Sequence, residues 1–120
     1  MKRIAAIFGG LAVILGALGA HALKEVLTPQ ALESFKTATT YQLFHAIALI
    51  ALPSSEKFIW TARFWIAGIL LFSFSIYGLA LDDLVGVNLS LLGPITPLGG
   101  VSLVLGWGFL WKSWTNDSRP

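Results

Sequence analysis

Four apolar stretches, at residues 4–23, 37–52, 58–81 and 97–114, fill most of this 120-residue chain, and the charges sit in the short gaps between them. A helix rises about 1.5 Å per residue, so about 20 residues carry it across a hydrocarbon core about 30 Å thick. Too little chain is left outside these stretches for a soluble domain. Hydrophobic residues make up 56% of the chain and charged ones 12%, where a soluble domain carries roughly 25% charged. A soluble fold of this size would leave much of that apolar surface facing water. The pattern predicts one all-α domain over residues 1–120, an integral membrane four-helix bundle.

A net charge of +2 is too small to point to nucleic acid. The absence of cysteine excludes disulfides, thiolate metal sites and cysteine nucleophiles. Met1-Lys2-Arg3, an apolar run and Ala20-His21-Ala22 have the layout of a secretory signal peptide. The run is longer than the usual apolar core of about 7–15 residues, and three more spans follow, so the segment is expected to be retained.

The basic residues divide unevenly between the gaps. Lys2, Arg3, Lys57, Arg63, Lys112 and Arg119 fall on one side of a four-span chain, against Lys24 and Lys36 on the other. The positive-inside rule then puts both termini in the cytoplasm. Trp60, Trp65, Trp111 and Trp114 are expected to form an aromatic belt at the inner surface. Thr28-Pro29 and Thr96-Pro97 read as helix N-caps followed by proline at the first helical position, and Pro53-Ser54-Ser55 ends one helix and can cap the next. In the outer stretch 84–96, Gly93-Pro94 is expected to interrupt regular helix. Gly93, Pro94, Thr96 and Pro97 therefore belong to an outer loop resting in the headgroups or dipping over the bundle.

Helices in lipid associate through close packing and interhelical hydrogen bonds, so small residues spaced by three or four mark interfaces. Span one offers Ala5, Gly9, Ala12, Gly16 and Gly19; span four offers Gly99, Ser102 and Gly106. These two spans are expected to pack most tightly, and leucine at Gly16 is expected to wreck assembly.

The polar residues within the spans are the most informative for function. Tyr41, Gln42 and His45, at i, i+1 and i+4, share a helix face. Ser73 and Tyr77 lie one turn apart on span three, and His21 ends span one. With both termini inside, His21, Tyr41, Gln42, His45, Ser73 and Tyr77 are expected to gather in the outer half of the bilayer. Ser73 and Ser75 are expected to bond back to their own helix. Intramembrane polar groups face the bundle interior and count as functional candidates.

Three readings fit this cluster. One is an interhelical hydrogen-bond network that fixes register. The second is a small-solute or proton site in which His45 titrates. The third is haem or metal ligation by His21 and His45. The two histidines lie at different depths and lack an acidic partner, so no metal or cofactor is assigned. No acidic residue lies within a span, so a serine–histidine–acid arrangement lacks its third member.

Several motifs together are specific. They are Gly16-Ala17-Leu18-Gly19-Ala20-His21 with Leu23-Lys24, Phe35-Lys36-Thr37-Ala38 with Tyr41-Gln42-Leu43-Phe44-His45-Ala46, and Leu71-Phe72-Ser73-Phe74-Ser75-Ile76-Tyr77. Gly93-Pro94-Ile95-Thr96-Pro97-Leu98-Gly99-Gly100 with Gly106-Trp107 completes them. Through these the chain resembles, over nearly its whole length, the small multi-span proteins classed as domain of unknown function 423, related to transmembrane protein 256 of animals. Phe74 stands where that pattern has glycine. The resemblance implies a bacterial inner-membrane protein of four helices and implies no activity, substrate or cofactor. The expected function is a non-enzymatic structural or scaffolding role in the cell envelope, with the bilayer, further copies or other membrane proteins as partners. A transport unit is the alternative.

Overall fold

Thr28 starts the most polar helix as an N-cap: its hydroxyl accepts from the Ala31 amide (3.2 Å), and Pro29 follows where no N–H is needed. The computed structural model describes residues 1–116 and places this helix, α2 (Pro29–Ala51), after α1 (Lys2–Ala20). The chain continues through α3 (Ile59–Gly68), a π-helical turn (Ile69–Ser73), α4 (Phe74–Val85) and α5 (Ile95–Thr115). Short 3-10 turns join them, and no strand occurs among the described residues. Arg119, counted in the charge balance, lies outside those residues.

Three helical stretches are long and apolar enough to cross a membrane: Lys2–Ala20, Glu56–Val85 and Ser90–Thr115. Glu33 and Lys36, with Gln30 and Ser34, occupy the first two turns of α2 and make it the least apolar of the long helices. It ends at Leu52, held extended (ψ 134°) by the following Pro53. Ser55 starts the next turn without a side-chain cap, so the expected serine cap is replaced by a backbone bond from the Phe58 amide to the Ser55 carbonyl (3.1 Å).

A further boundary expectation changes at the last helix. The backbone stays right-handed helical through Gly93 (φ −53°, ψ −52°) and Pro94 (φ −66°, ψ −20°), so α5 starts at Ile95 and not at a Thr96 cap. The cause is positional, because a proline before the first full turn has no ladder bond to lose. Thr96 is left free to bond sideways. At the other end of this loop Gly86 takes the left-handed conformation (φ 69°), and the Val87 amide closes on the Asp82 carbonyl (3.2 Å).

The helices pair unequally. Stretch Glu56–Val85 forms a rod; its α3 half packs on α5, its α4 half packs on α2, and α1 packs along α2. The π turn sits between the two halves, with the Phe74 amide reaching the Ile69 carbonyl five residues back. One extra residue per turn rotates the face above it relative to the face below. Two apolar cores result. One, around Phe58, Trp65, Ile69, Leu103 and Leu49, lies toward the chain termini; the other, around Phe35, Ala38, Tyr77 and Ala80, lies toward the loops.

Glycines carry the closest approaches on α5. A methyl built on Gly99 would fall on the Phe72 backbone amide, and one on Gly106 would fall on the Trp65 indole. Span one behaves differently. A methyl built on Gly19 would come within 3.1 Å of the Phe35 ring, one on Gly9 would meet only the Ala46 methyl at 3.8 Å, and Ala12 is buried. Gly16 meets nothing within 4 Å. It lies about 60° around the helix from Gly19 and off the line of contact with α2, so its expected packing role is not found here. Trp65 is also corrected. It is buried against Gly106, not exposed in a belt, whereas Trp60, Trp111 and Trp114 are exposed toward the termini end.

Candidate functional site

Gln42 is fully buried on α2 and has both ends of its amide occupied by other helices. Its Nε2 donates to the Phe8 carbonyl of α1 (2.7 Å), and its Oε1 accepts from the Tyr77 hydroxyl of α4 (2.6 Å). One turn toward the loops, the Ser73 hydroxyl donates to the Ala38 carbonyl of α2 (2.8 Å). The expected back-bond of Ser73 is therefore absent, because the π turn aims its side chain at α2. Ser75 does bond back, to the Leu71 and Phe72 carbonyls (2.6 and 2.9 Å). It also shares a hydrogen bond with the Thr96 hydroxyl at 2.6 Å.

His45 continues the face of Gln42 one turn toward the termini. Its Nδ1 contacts the Tyr41 carbonyl (2.8 Å) and its Nε2 the Trp107 indole nitrogen (3.0 Å). A carbonyl only accepts and an indole N–H only donates. The ring is therefore the neutral imidazole with its proton on Nδ1. Trp65 stands edge-on to the same ring, 5.8 Å between centroids, and packs on Trp107 at 4.7 Å. Tyr41 is 45% exposed and sends its ring outward over Phe72 (4.9 Å). Ser102 adds a further interhelical bond, from α5 to the Phe64 carbonyl (2.7 Å).

The six candidate residues divide. Gln42 and Tyr77 bond directly, with Ser73 and His45 one turn away on either side of Gln42; Tyr41 contributes its carbonyl to the seam, and His21 is exposed beyond the end of α1. His45 is six residues, about 9 Å of rise, from the Ala51 end of α2. The polar contacts run along the helices in both directions from Gln42, to His45 on the termini side and to Ser73 and the Ser75–Thr96 pair on the loop side. The two histidines are not brought together, and among the described residues no cluster of three or more His, Asp or Glu could hold a metal ion. With both nitrogens engaged, His45 offers no lone pair to a metal or haem iron.

Residues 15–100 match the family model described as protein of unknown function (DUF423). The chain belongs to that family. It is 44% identical to a UPF0382 membrane protein of Schizosaccharomyces pombe, over 88% of this chain and 92% of the relative. It is 37% identical to the UPF0382 inner membrane protein YgdD of Escherichia coli, over 92% and 85% of the two chains. A UPF0382 membrane protein of Staphylococcus saprophyticus is 37% identical over 81% of each. No solved structure matches.

In this DUF423 protein the matched segment holds Gln42, His45, Ser73 and Tyr77, while Trp107 lies beyond it. Sequence reasoning missed Trp107, Thr96 and Ser102 as polar partners. A signal existed for Trp107, since an indole N–H inside a bilayer needs an acceptor and His45 is a strong one available. The Phe8 carbonyl carried no signal, because backbone acceptors are invisible in side-chain patterns.

Proposed function

We propose that this chain is a non-enzymatic, four-span scaffold of the bacterial inner (cytoplasmic) membrane with both termini in the cytoplasm. Helix α2 is the fourth span: from Thr37 to Ala51 it carries no charge, and it is packed between α1 and the rod. Lys2, Arg3, Lys57, Arg63 and Lys112 lie toward the termini end and only Lys24 and Lys36 toward the loops, which supports that orientation. The observation that carries the structural role is Gln42. Both ends of its buried amide are consumed by neighbouring helices, as in a network that fixes helix register. Its partners are the lipid bilayer and, through open small-residue positions such as Gly10 and Gly16, a second copy or another membrane protein of the envelope.

Two experiments test this. Single cysteines at Lys2 and Val87, probed with an impermeant maleimide on intact spheroplasts, should label at Val87 only; labelling at Lys2 overturns the orientation. Liposomes holding wild type or His45→Ala at matched density should leak protons equally. A flux that depends on His45 would replace the scaffold with a transport unit.

A further inference from the structure

A cleft of about 800 Å³ opens between the start of α2, α4 and the start of α5 at the loop end of the molecule. One wall is a polar stripe. Gln30, Glu33, Ser34 and Thr37 fall at i, i+3, i+4 and i+7 on α2, a single helix face. The opposite wall is apolar, with Ile76 and Leu79 from α4 and Pro97 from α5.

The stripe is not accounted for by the fold. Further along the same helix, Thr39 and Thr40 settle their hydroxyls on the Lys36 carbonyl (2.8 and 2.9 Å). Among the described residues, the side chains of Gln30, Glu33, Ser34 and Thr37 make no hydrogen bond or ion pair, and all four are exposed into the cleft. From Gln30 to Thr37 the helix rises about 10 Å. The headgroup layer on each side of a bilayer is about 5–7 Å thick, so with Gln30 at its outer edge the lower part of the stripe reaches acyl-chain depth. Unpartnered polar groups there are costly unless something polar enters with them.

We propose that this cleft binds a phospholipid with an ammonium headgroup, of the phosphatidylethanolamine class. Glu33 is the one charged side chain lining the cleft, and no basic residue lines it, so a cationic group is attracted and a purely anionic headgroup is not. The ammonium donates to the Glu33 carboxylate. The Ser34 hydroxyl beside Glu33 and the Thr37 hydroxyl, one turn deeper, donate to the glycerol ester oxygens. The acyl chain runs down the Ile76, Leu79 and Pro97 wall. The volume is within the usual range of ligand pockets, about 300–1,000 Å³. The inference rests on the chain being bilayer-embedded and does not depend on the scaffold role.

Native mass spectrometry of the full chain in detergent tests it, with dioleoyl phosphatidylethanolamine, dioleoyl phosphatidylglycerol or free ethanolamine added at equal concentration. The ethanolamine lipid should be retained about tenfold better than the glycerol lipid, as expected for one charge-assisted hydrogen bond. Glu33→Gln should remove that preference, and Ser34→Ala with Thr37→Val should weaken retention of the same lipid severalfold. Equal retention of the two lipids by wild type overturns the proposal without any variant. So does a preference that survives Glu33→Gln, and so does free ethanolamine held as firmly as the lipid. Maleimide labelling that places the cleft outside the bilayer would instead fail the membrane reading itself, whatever the lipid ratio.

Discussion

The Tyr77 hydroxyl donates to Gln42 Oε1 at 2.6 Å, while the nitrogen of the same amide holds the Phe8 carbonyl. One side chain thereby joins α1, α2 and α4 at mid-bundle. Replacing Gln42 with leucine leaves a buried tyrosine hydroxyl without an acceptor. We expect a loss of about 1–2 kcal/mol in a reversible unfolding titration in mixed micelles. Tyr77→Phe should cost less than Gln42→Leu, and the double variant about as much as Gln42→Leu alone. Strictly additive losses would show that the two side chains do not act together.

Close approach of backbones predicts an asymmetry between glycines. Gly99→Ala drives a methyl into the Phe72 amide, which no side-chain rotation relieves. The same titration should register about 1–3 kcal/mol of destabilisation. Gly16→Leu enters open space and should leave monomer stability unchanged. A large effect of Gly16→Leu on an isolated monomer would contradict the packing described for α1.

The hydrogen bonds of His45 specify a protonation state that spectroscopy can read. Nitrogen-15 spectra of histidine-labelled protein in bicelles should show a neutral ring with a protonated Nδ1 and a bare, hydrogen-bonded Nε2. Trp107→Phe should shift the Nε2 resonance toward that of an unbonded nitrogen and destabilise the bundle by about 0.6 kcal/mol. A protonated Nε2 in wild type would exclude the Trp107 contact.

Trp65 has a buried indole N–H without a hydrogen-bond partner. Such a group carries an uncompensated desolvation cost. Trp65→Phe removes it but leaves a smaller ring against Gly106, so the two effects oppose each other. The net change should lie within about 1 kcal/mol of zero, far below the cost of about 3–5 kcal/mol usual for truncating a buried tryptophan to alanine. Destabilisation of Trp65→Phe as large as that of Trp65→Ala would mean that the N–H has an acceptor.

Apolar run length and the positions of proline made much of the fold legible. The start of α2 at Pro29 and its end before Pro53 follow from local chemistry alone. So does the shared face of Gln42 and His45, which helical periodicity fixes. Azimuth was not legible. The π turn at Ile69–Ser73 contains neither glycine nor proline, so nothing local announces the rotation that turns Ser73 toward α2. Gly16 and Gly19 look alike in a small-residue pattern, and only the path of the neighbouring helix separates them. The cleft stripe Gln30–Glu33–Ser34–Thr37 was not legible either, because sequence cannot show that the facing wall stands back from it.

The extra residue in the rod has a mechanical corollary. Its two halves present their contact surfaces in different directions, so the leading hairpin and the final helix clasp mainly opposite ends of one shaft and meet at the π turn. Insertion can then proceed modularly. A chain truncated before Ile95 should still dock its first hairpin on the rod, while the α5 seat, with Trp65 uncovered, stays vacant.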